Sequence, residues 1–323
     1  MDTASHLLLG VTLGGLAMAL ADPAIGDHSS AVYGLFAAAI VGSNAPDFDI
    51  AIRIRGYESY LLHHRGFSHS LPMLAGWPII LTPLIAYLFH AWDYMIPLFL
   101  WTMAGVVLHV FLDFFNAYGV QCFRPISRKW FHGDAIPIFD PLLFGLHLAG
   151  LLLWLFGVIS AQIVFPLLYV ITFLFIGYRI VIHRLMLHMV RRRYGIEGDS
   201  FLIPKWLPHN WGYVHETDQT YIAGSIRGTF LREETLFQKG EQNDDVVQAI
   251  MGSDGVRSFL AFAHRVHISC KKVQNGYMVE LRDVRFRHGE KLPFGVDITL
   301  DDRLQVTGNT FGWKKKLWEP PFS

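Results

Sequence analysis

The sequence predicts an α-helical membrane bundle of about six spanning segments over residues 1–194, followed by a small β-rich soluble domain over residues 195–323. Three observations carry this reading. The chain is 52% hydrophobic and 14% aromatic, an apolar excess typical of membrane proteins. Up to Tyr194 apolar runs alternate with short connectors, whereas from Gly195 onward no run approaches the roughly 20 residues a spanning helix needs. Lysine and arginine, finally, gather on alternate connectors, as retained cytoplasmic charge does.

Leu7 to Ala21 and Ala31 to Ala45 are short and rich in glycine and alanine, so they read as thin helices packed closely on their neighbours. Leu71 to His90 and Ile96 to Tyr118 are longer spans, with Pro78 and Pro83 tolerated because neighbouring helices compensate a kink. Leu142 to Ile159 and Ile163 to His188 form a last pair joined by a tight connection. An even number of segments places both termini on one side. Arg53, Arg55, Arg65, Arg124, Arg128, Lys129, Arg184 and the Arg191 to Arg193 run all fall on that side, while the opposite connectors carry Asp22, Asp27 and Asp93 and no basic residue. The connectors at 44–70 and 119–141 and the whole tail are therefore expected to be cytoplasmic. The first basic residue is Arg53, so the first apolar segment lacks the basic start of a cleavable signal and is expected to be retained.

In the tail, Val266 to Val273 and Tyr277 to Phe286 flank Asn275-Gly276, a strong hairpin signal, and Val296 to Leu300 with Leu304 to Thr307 flank Asp301-Asp302. Asn243 to Met251 reads as a short helix, and His264, His267 and His288 as ordinary polar positions. The formal net charge is zero, so no global field favours nucleic acid. Cys122 and Cys270, one in each half, define no disulfide framework and read as reduced thiols.

The chemistry concentrates between residues 44 and 70. Asp47, Asp49, His63, His64 and His69 offer carboxylate and imidazole ligands suited to zinc, manganese or iron, beside Arg53, Arg55 and Arg65. In the fourth segment His109, Asp113 and Asn116 are spaced by four and then three residues, which places them on one helical face. An ionisable pair inside a spanning helix marks function or an internal pairing. His6 opens the first segment on the same side. Four separate elements thus deliver His6, Asp47, Asp49, His64, His69, His109 and Asp113 to one membrane depth. His63 reads as exposed or as a partner of a ligand, with Asp134, Asp140 and His147 as further supporting groups.

The patterns His6-Leu-Leu-Leu-Gly10, Ala45-Pro-Asp-Phe-Asp49, His64-Arg-Gly-Phe-Ser-His-Ser70 and His109-xxx-Asp113 resemble the YdjM or YfhP-like family of bacterial inner-membrane proteins, described as metal-dependent hydrolases. The resemblance covers roughly the first 190 positions. The stretch Asp113-Phe-Phe-Asn116-Ala-Tyr118-Gly119 is similar to the Bacillus-type branch, which carries a C-terminal soluble extension. Ile50 departs from the pattern, since many relatives have a histidine there. The resemblance implies a multi-pass protein of the bacterial inner membrane with a hydrolase activity. A more distant fold-level analogy, to zinc-dependent phospholipase C, rests on the His-xxx-Asp helix.

Seven candidate ligands exceed the three protein ligands usual for one catalytic zinc, so two or more divalent ions are expected. Such a centre suits phosphoester hydrolysis on a membrane lipid or lipid-linked substrate, with Asp113, Arg65 and Asn116 as the catalytic candidates and Arg65 gripping the phosphate. The alternative is a non-catalytic membrane regulator, with a structural metal and a tail that binds a protein partner. A transporter fits less well, because the ligands lie at one face and do not recur in an inverted half.

The charge distribution makes a direct prediction. A reporter active only outside the cytoplasm should give signal when fused at residue 27 and none at Ser323. Signal at Ser323 would overturn the orientation.

Overall fold

The computed structural model describes residues 1–22, 25, 29–195, 197–240 and 245–314. Asp27 and the first two residues of the expected Asn243 helix lie outside them, as does the side chain of Arg55. The chain folds as two units, one comprising Met1–Ala51, His63–His183 and Pro204–Pro208, the other Ile52–Leu62, Arg184–Ile203 and His209–Ser323.

The six apolar segments each form a helix: α1 (Thr3–Ala19), α2 (Ser29–Asn44), and, after a 3-10 segment (Ala45–Arg55) and the short α3 (Tyr57–His63), α4 (Leu71–Leu88), α5 (Met95–Phe114), α6 (Pro141–Leu155) and α7 (Ala161–Tyr194). Four apolar helical stretches are long enough to cross a membrane: Ser30–Ile54, Leu71–Leu88, Trp92–Phe114 and Ala161–Tyr194. Thr3–Ala19 and Pro141–Leu155 are shorter. Local chemistry sets the ends. The Asp2 carboxylate accepts from the Ala4 and Ser5 amides to start α1, and Asp140 does the same for α6 through Leu142 and Leu143, with Pro141 following the cap. Asp140 therefore satisfies a helix start through its Oδ1.

The predicted thinness of the first two helices has a visible purpose. A Cβ added to Gly42 would lie 2.2 Å from the Thr102 carbonyl oxygen, and one added to Gly105 would lie 2.6 Å from the Ser43 nitrogen. The α2 and α5 backbones therefore touch with no side chain between them. Leu35, Ala38, Leu81, Ile85 and Leu98 fill one core at this crossing, and Leu9, Leu13, Ala39, Leu108, Leu112 and Ile176 fill a second. The outer faces carry Ile79, Ile80, Leu84, Ile96, Leu100 and Leu174 in full exposure, as lipid-facing surfaces do.

Several polar groups inside this bundle pair across helices. His147 on α6 bridges Thr12 of α1 at 2.7 Å and Thr172 of α7 at 2.8 Å, and the Tyr169 hydroxyl donates to the Leu9 carbonyl at 2.6 Å. These bonds tie three helices together where no water competes. They give His147 a structural place away from the ligand cluster. Asp134 likewise pairs locally, with His132 at 2.6 Å.

The second unit contains two four-stranded antiparallel meanders. The first is β1 (Asp199–Pro204), β2 (Asn210–Glu216), β3 (Thr220–Arg227) and β4 (Phe230–Gln238), in that order. Helices α8 (Asp245–Met251) and α9 (Asp254–Phe262) precede the second, made of β5 (Val266–Val273), β6 (Gly276–Asp283), β7 (Phe294–Leu300) and β8 (Val306–Trp313). The expected hairpin forms, with Val273 opposite Gly276, so that Gln274 and Asn275 make the turn and Gly276 already belongs to β6. Glycine is required there because φ is +123° and a Cβ would lie 2.0 Å from the Leu300 carbonyl oxygen. Two boundaries differ from expectation. Val284–Phe286 leaves the strand as a 3-10 turn, because the Asp283 carboxylate accepts the Arg285 amide. Leu304 sits in a turn at φ +60°, held by Asp301 Oδ1 accepting from Arg303 and Gln305, so β8 starts at Val306.

Replacing Gly105 with alanine should destabilise the bundle by about 1–3 kcal/mol, since two backbones must part to admit a methyl group. Gly145→Ala on α6, with open space around it, should be neutral or slightly stabilising. Unfolding midpoints in detergent would separate the two, and equal midpoints would refute the backbone contact.

Candidate metal centre

Four side chains from three elements meet at one point. Asp47 rides on the 3-10 segment just after α2, His69 closes a short 3-10 turn (Phe67–His69) before α4, and His109 and Asp113 project from successive turns of α5. His69, His109 and Asp113 are fully buried, and the Asp47 side chain keeps 17% of its surface open.

The tautomers follow from the hydrogen bonds. His109 Nδ1 lies 2.7 Å from the Ser43 carbonyl, which only accepts, so that nitrogen carries the proton and Nε2 is a bare lone pair. The Ser68 hydroxyl donates its one hydrogen to Asp49 Oδ2 at 2.6 Å, so it must accept from His69 Nδ1 at 2.9 Å. His69 Nε2 is then bare as well. The two bare nitrogens face each other at 3.2 Å. Around them stand Asp47 Oδ1 and Asp113 Oδ2, both buried; neither accepts a well-aligned hydrogen bond, and Asp113 Oδ2 is ion-paired with Arg65 Nε at 3.0 Å.

The spacing tests whether a cation fits. Ligands about 2.0–2.1 Å from a tetrahedral ion stand about 3.3 Å apart. Here the separations are 3.2 Å between the two imidazoles, 3.4 and 3.6 Å from His109 to Asp47 and Asp113, and 3.5 and 3.7 Å from His69 to Asp113 and Asp47. All four ligand atoms lie within 4.8 Å of one another. A single proton would bridge at most two of the four acceptors, whereas a four-coordinate cation would satisfy all of them. The outward N–H of each imidazole is held by a carbonyl or hydroxyl, the arrangement that orients metal-bound histidines.

A second group, Asp47, Asp49 and His64, also brings three ligand atoms within 4.8 Å, so Asp47 belongs to both. Asp49 is heavily engaged already. Its Oδ1 pairs with His64 Nδ1 at 2.7 Å and its Oδ2 accepts from Ser68 and from the Arg65 amide at 3.2 Å. His63 is exposed.

The other predicted residues surround this centre in different ways. His6 stacks on the His109 ring at a centroid distance of 3.7 Å, and its Nε2 lies 3.2 Å from Asp113 Oδ1 and 2.9 Å from the Met1 amino nitrogen, which also contacts that carboxylate. Arg65 is turned inward, because it occupies the left-handed region at φ +61° and its side chain runs into the bundle. Its Nε lies 3.0 Å from Asp113 Oδ2, its Nη1 donates to Asn116 Oδ1 at 3.0 Å, and its Nη2 donates to the Met1 carbonyl at 3.2 Å. These contacts place the guanidinium against protein groups. Asn116 lies past the end of α5 and not on its helical face. Its Oδ1 accepts from the Tyr118 and Gly119 amides, holding the chain reversal, and its Nδ2 donates to Asp113 Oδ1.

Two contributors escaped the sequence reading, Ser43 and Ser68. Ser68 lies inside the block that carries the family resemblance, so its position was visible. The Ser43 carbonyl is a backbone group and leaves no trace in a residue pattern.

Ser68→Ala should weaken metal binding about 10- to 100-fold, as loss of a ligand's outer hydrogen bond does elsewhere. His69→Ala and Asp113→Ala should lower metal bound per protein further. Chelator competition on folded protein in detergent reads both effects. Full metal retention in the two ligand variants would make the cluster a purely polar one.

Comparison with known proteins places the chain. The sequence profile of the YdjM inner membrane protein family matches residues 1–186, and that of the YfhP C-terminal alpha/beta plait domain matches residues 245–319. YfhP of Bacillus subtilis (strain 168) is 33% identical over 318 residues, which is 97% of this chain and 95% of that protein. No solved structure matches the chain.

Proposed function

We propose, from the premise that this chain belongs to the YdjM family of inner membrane proteins, that it is a membrane-bound metal-dependent hydrolase cleaving a phosphoester of a lipid or lipid-linked substrate. The observation that carries the reading is the convergence of the His69 and His109 lone pairs with the Asp47 and Asp113 oxygens at tetrahedral spacing. A divalent ion held there, zinc in the first instance, would supply Lewis acidity and activate water near neutral pH. Asp47 also groups with Asp49 and His64, so it would be available to a second such ion.

The chain's own residues have separable tasks in this scheme. His69, His109, Asp47 and Asp113 bind. Ser68 and the Ser43 carbonyl keep the imidazole protons pointing away from the centre, so that both Nε2 atoms stay available. Asp49 orients Ser68 and His64, and the Arg65 guanidinium holds Asp113 against Asn116. Arg65 is thus assigned to positioning, in place of the phosphate grip that its place between His64 and Gly66 suggested. The partial opening at Asp47 is where a substrate oxygen approaches. A substrate anchored in the bilayer suits a centre whose ligands start and end membrane helices.

The test is turnover on a panel of lipid phosphates, phosphodiesters and esters by purified protein, abolished by chelation and restored by zinc. Asp47→Asn should lower that turnover by on the order of a hundredfold or more. Arg65→Lys, which cannot span Asp113, Asn116 and the Met1 carbonyl together, should lower metal affinity and turnover in parallel. Metal bound with no turnover on any class would favour the non-catalytic regulator.

A further inference from the structure

We infer that the C-terminal unit carries a second site, for the phosphate headgroup of an anionic lipid, where the end of α7 meets the β3–β4 turn. The site is a cavity of about 400 Å³. That volume is within the roughly 300–1,000 Å³ typical of ligand sites.

Its lining mixes two chemistries. Arg192, Arg193 and His188 from α7 and Thr229 from the turn bring polar groups, and Leu185, Met189 and Leu231 bring apolar ones. Two guanidinium forks, an imidazole and a hydroxyl are the donors that recognise a phosphate's oxygens. The apolar groups suit the first carbons of an acyl or glycerol chain. Among the described residues neither Arg192 nor Arg193 forms an ion pair, so their charge is not already neutralised by a carboxylate. Arg193 lies only over the Tyr194 ring, at 5.8 Å.

The length of α7 puts this cavity at the right depth. The helix has 34 residues, about 51 Å at 1.5 Å per residue, against a hydrocarbon core of about 30 Å. Its apolar run ends at Arg184, the first exposed basic residue. From there Leu185 lies about 2 Å and Arg193 about 14 Å further along the axis, so the cavity opens within the headgroup layer. Phe230, beside Thr229 at the turn, is 66% exposed, an aromatic ring placed where such rings anchor at a membrane interface. A run of arginines ending a helix can also serve only as topological charge. Here a built cavity with a hydroxyl supplied from a distant strand turn goes beyond that role.

The experiment uses the full chain in mixed micelles, with native mass spectrometry counting retained phosphatidylglycerol or phosphatidylcholine. Wild-type protein should retain phosphatidylglycerol selectively. Retention should fall on the order of tenfold or more in the Arg192→Gln/Arg193→Gln variant, from the loss of two charges near the headgroups. Thr229→Ala, a surface change that leaves every charge in place, should lower it measurably, and Arg128→Gln/Lys129→Gln should not. Equal loss in the Arg128/Lys129 control, undiminished retention in Thr229→Ala, or equal retention of phosphatidylcholine would overturn the site. Displacement of the lipid by millimolar inorganic phosphate would overturn the lipid assignment.

Discussion

Two imidazole lone pairs and two carboxylate oxygens are buried face to face inside a helical bundle, and the rest of the first unit is arranged to keep them there. Left alone, such a group repels itself strongly in a low-dielectric interior, since burial of unpaired acceptors and anions is among the most expensive arrangements available. The bundle sets the Arg65 guanidinium and the Met1 amino group against Asp113, but among the described residues it offers no donor to the two ring nitrogens. It supplies instead a carbonyl and a hydroxyl on the outer side of each ring, which fix the protons outward and aim the lone pairs inward. A cation at the centre would convert that repulsion into an interaction that holds α2, α4 and α5 in register.

The hydrogen-bonded shell connects this centre to the fold. Asp49, Ser68 and His69 form one chain of bonds, so the 3-10 segment after α2 and the turn before α4 are set by the same carboxylate. Arg65, Asn116 and Asp113 form another, which ties the end of α5 to the start of the chain. Both chains converge on residues that also face the ion. Stability of the bundle and occupancy of the site are therefore linked quantities, as expected when ligands come from separate elements.

Much of this was readable from residue order, for physical reasons that differ by element. Helical periodicity placed His109 and Asp113 on one face, and charge asymmetry grouped the ligand-bearing ends. Periodicity failed for Asn116, because a polar amide that can cap a chain reversal ends the helix two residues earlier. The role of Arg65 was hidden for another reason, since its buried contacts with Asp113, Asn116 and the Met1 carbonyl are tertiary and leave no mark in residue order. In the soluble part Asn275-Gly276 announced its hairpin, whereas β2 hid because Trp211 to His215 are all buried and show no alternation. The turn at Gly228-Thr229 was present in the sequence but had no alternating flanks to identify it.

The contact between Gly42 and Gly105 has a consequence for which ion the centre accepts. With α2 and α5 touching through their backbones, the distance between the Ser43 carbonyl and the His109 ring cannot lengthen without separating two helices. Side-chain cushions, which elsewhere let a coordination sphere swell, are absent at this crossing. An ion that needs oxygen ligands at about 2.3–2.6 Å and six or more of them, as calcium does, would have to push the helices apart. Small four-coordinate ions impose no such strain. For any ion held at this centre, Gly42 and Gly105 would therefore act as a size filter, set at a distance from the ligands by two backbones that have no room to move.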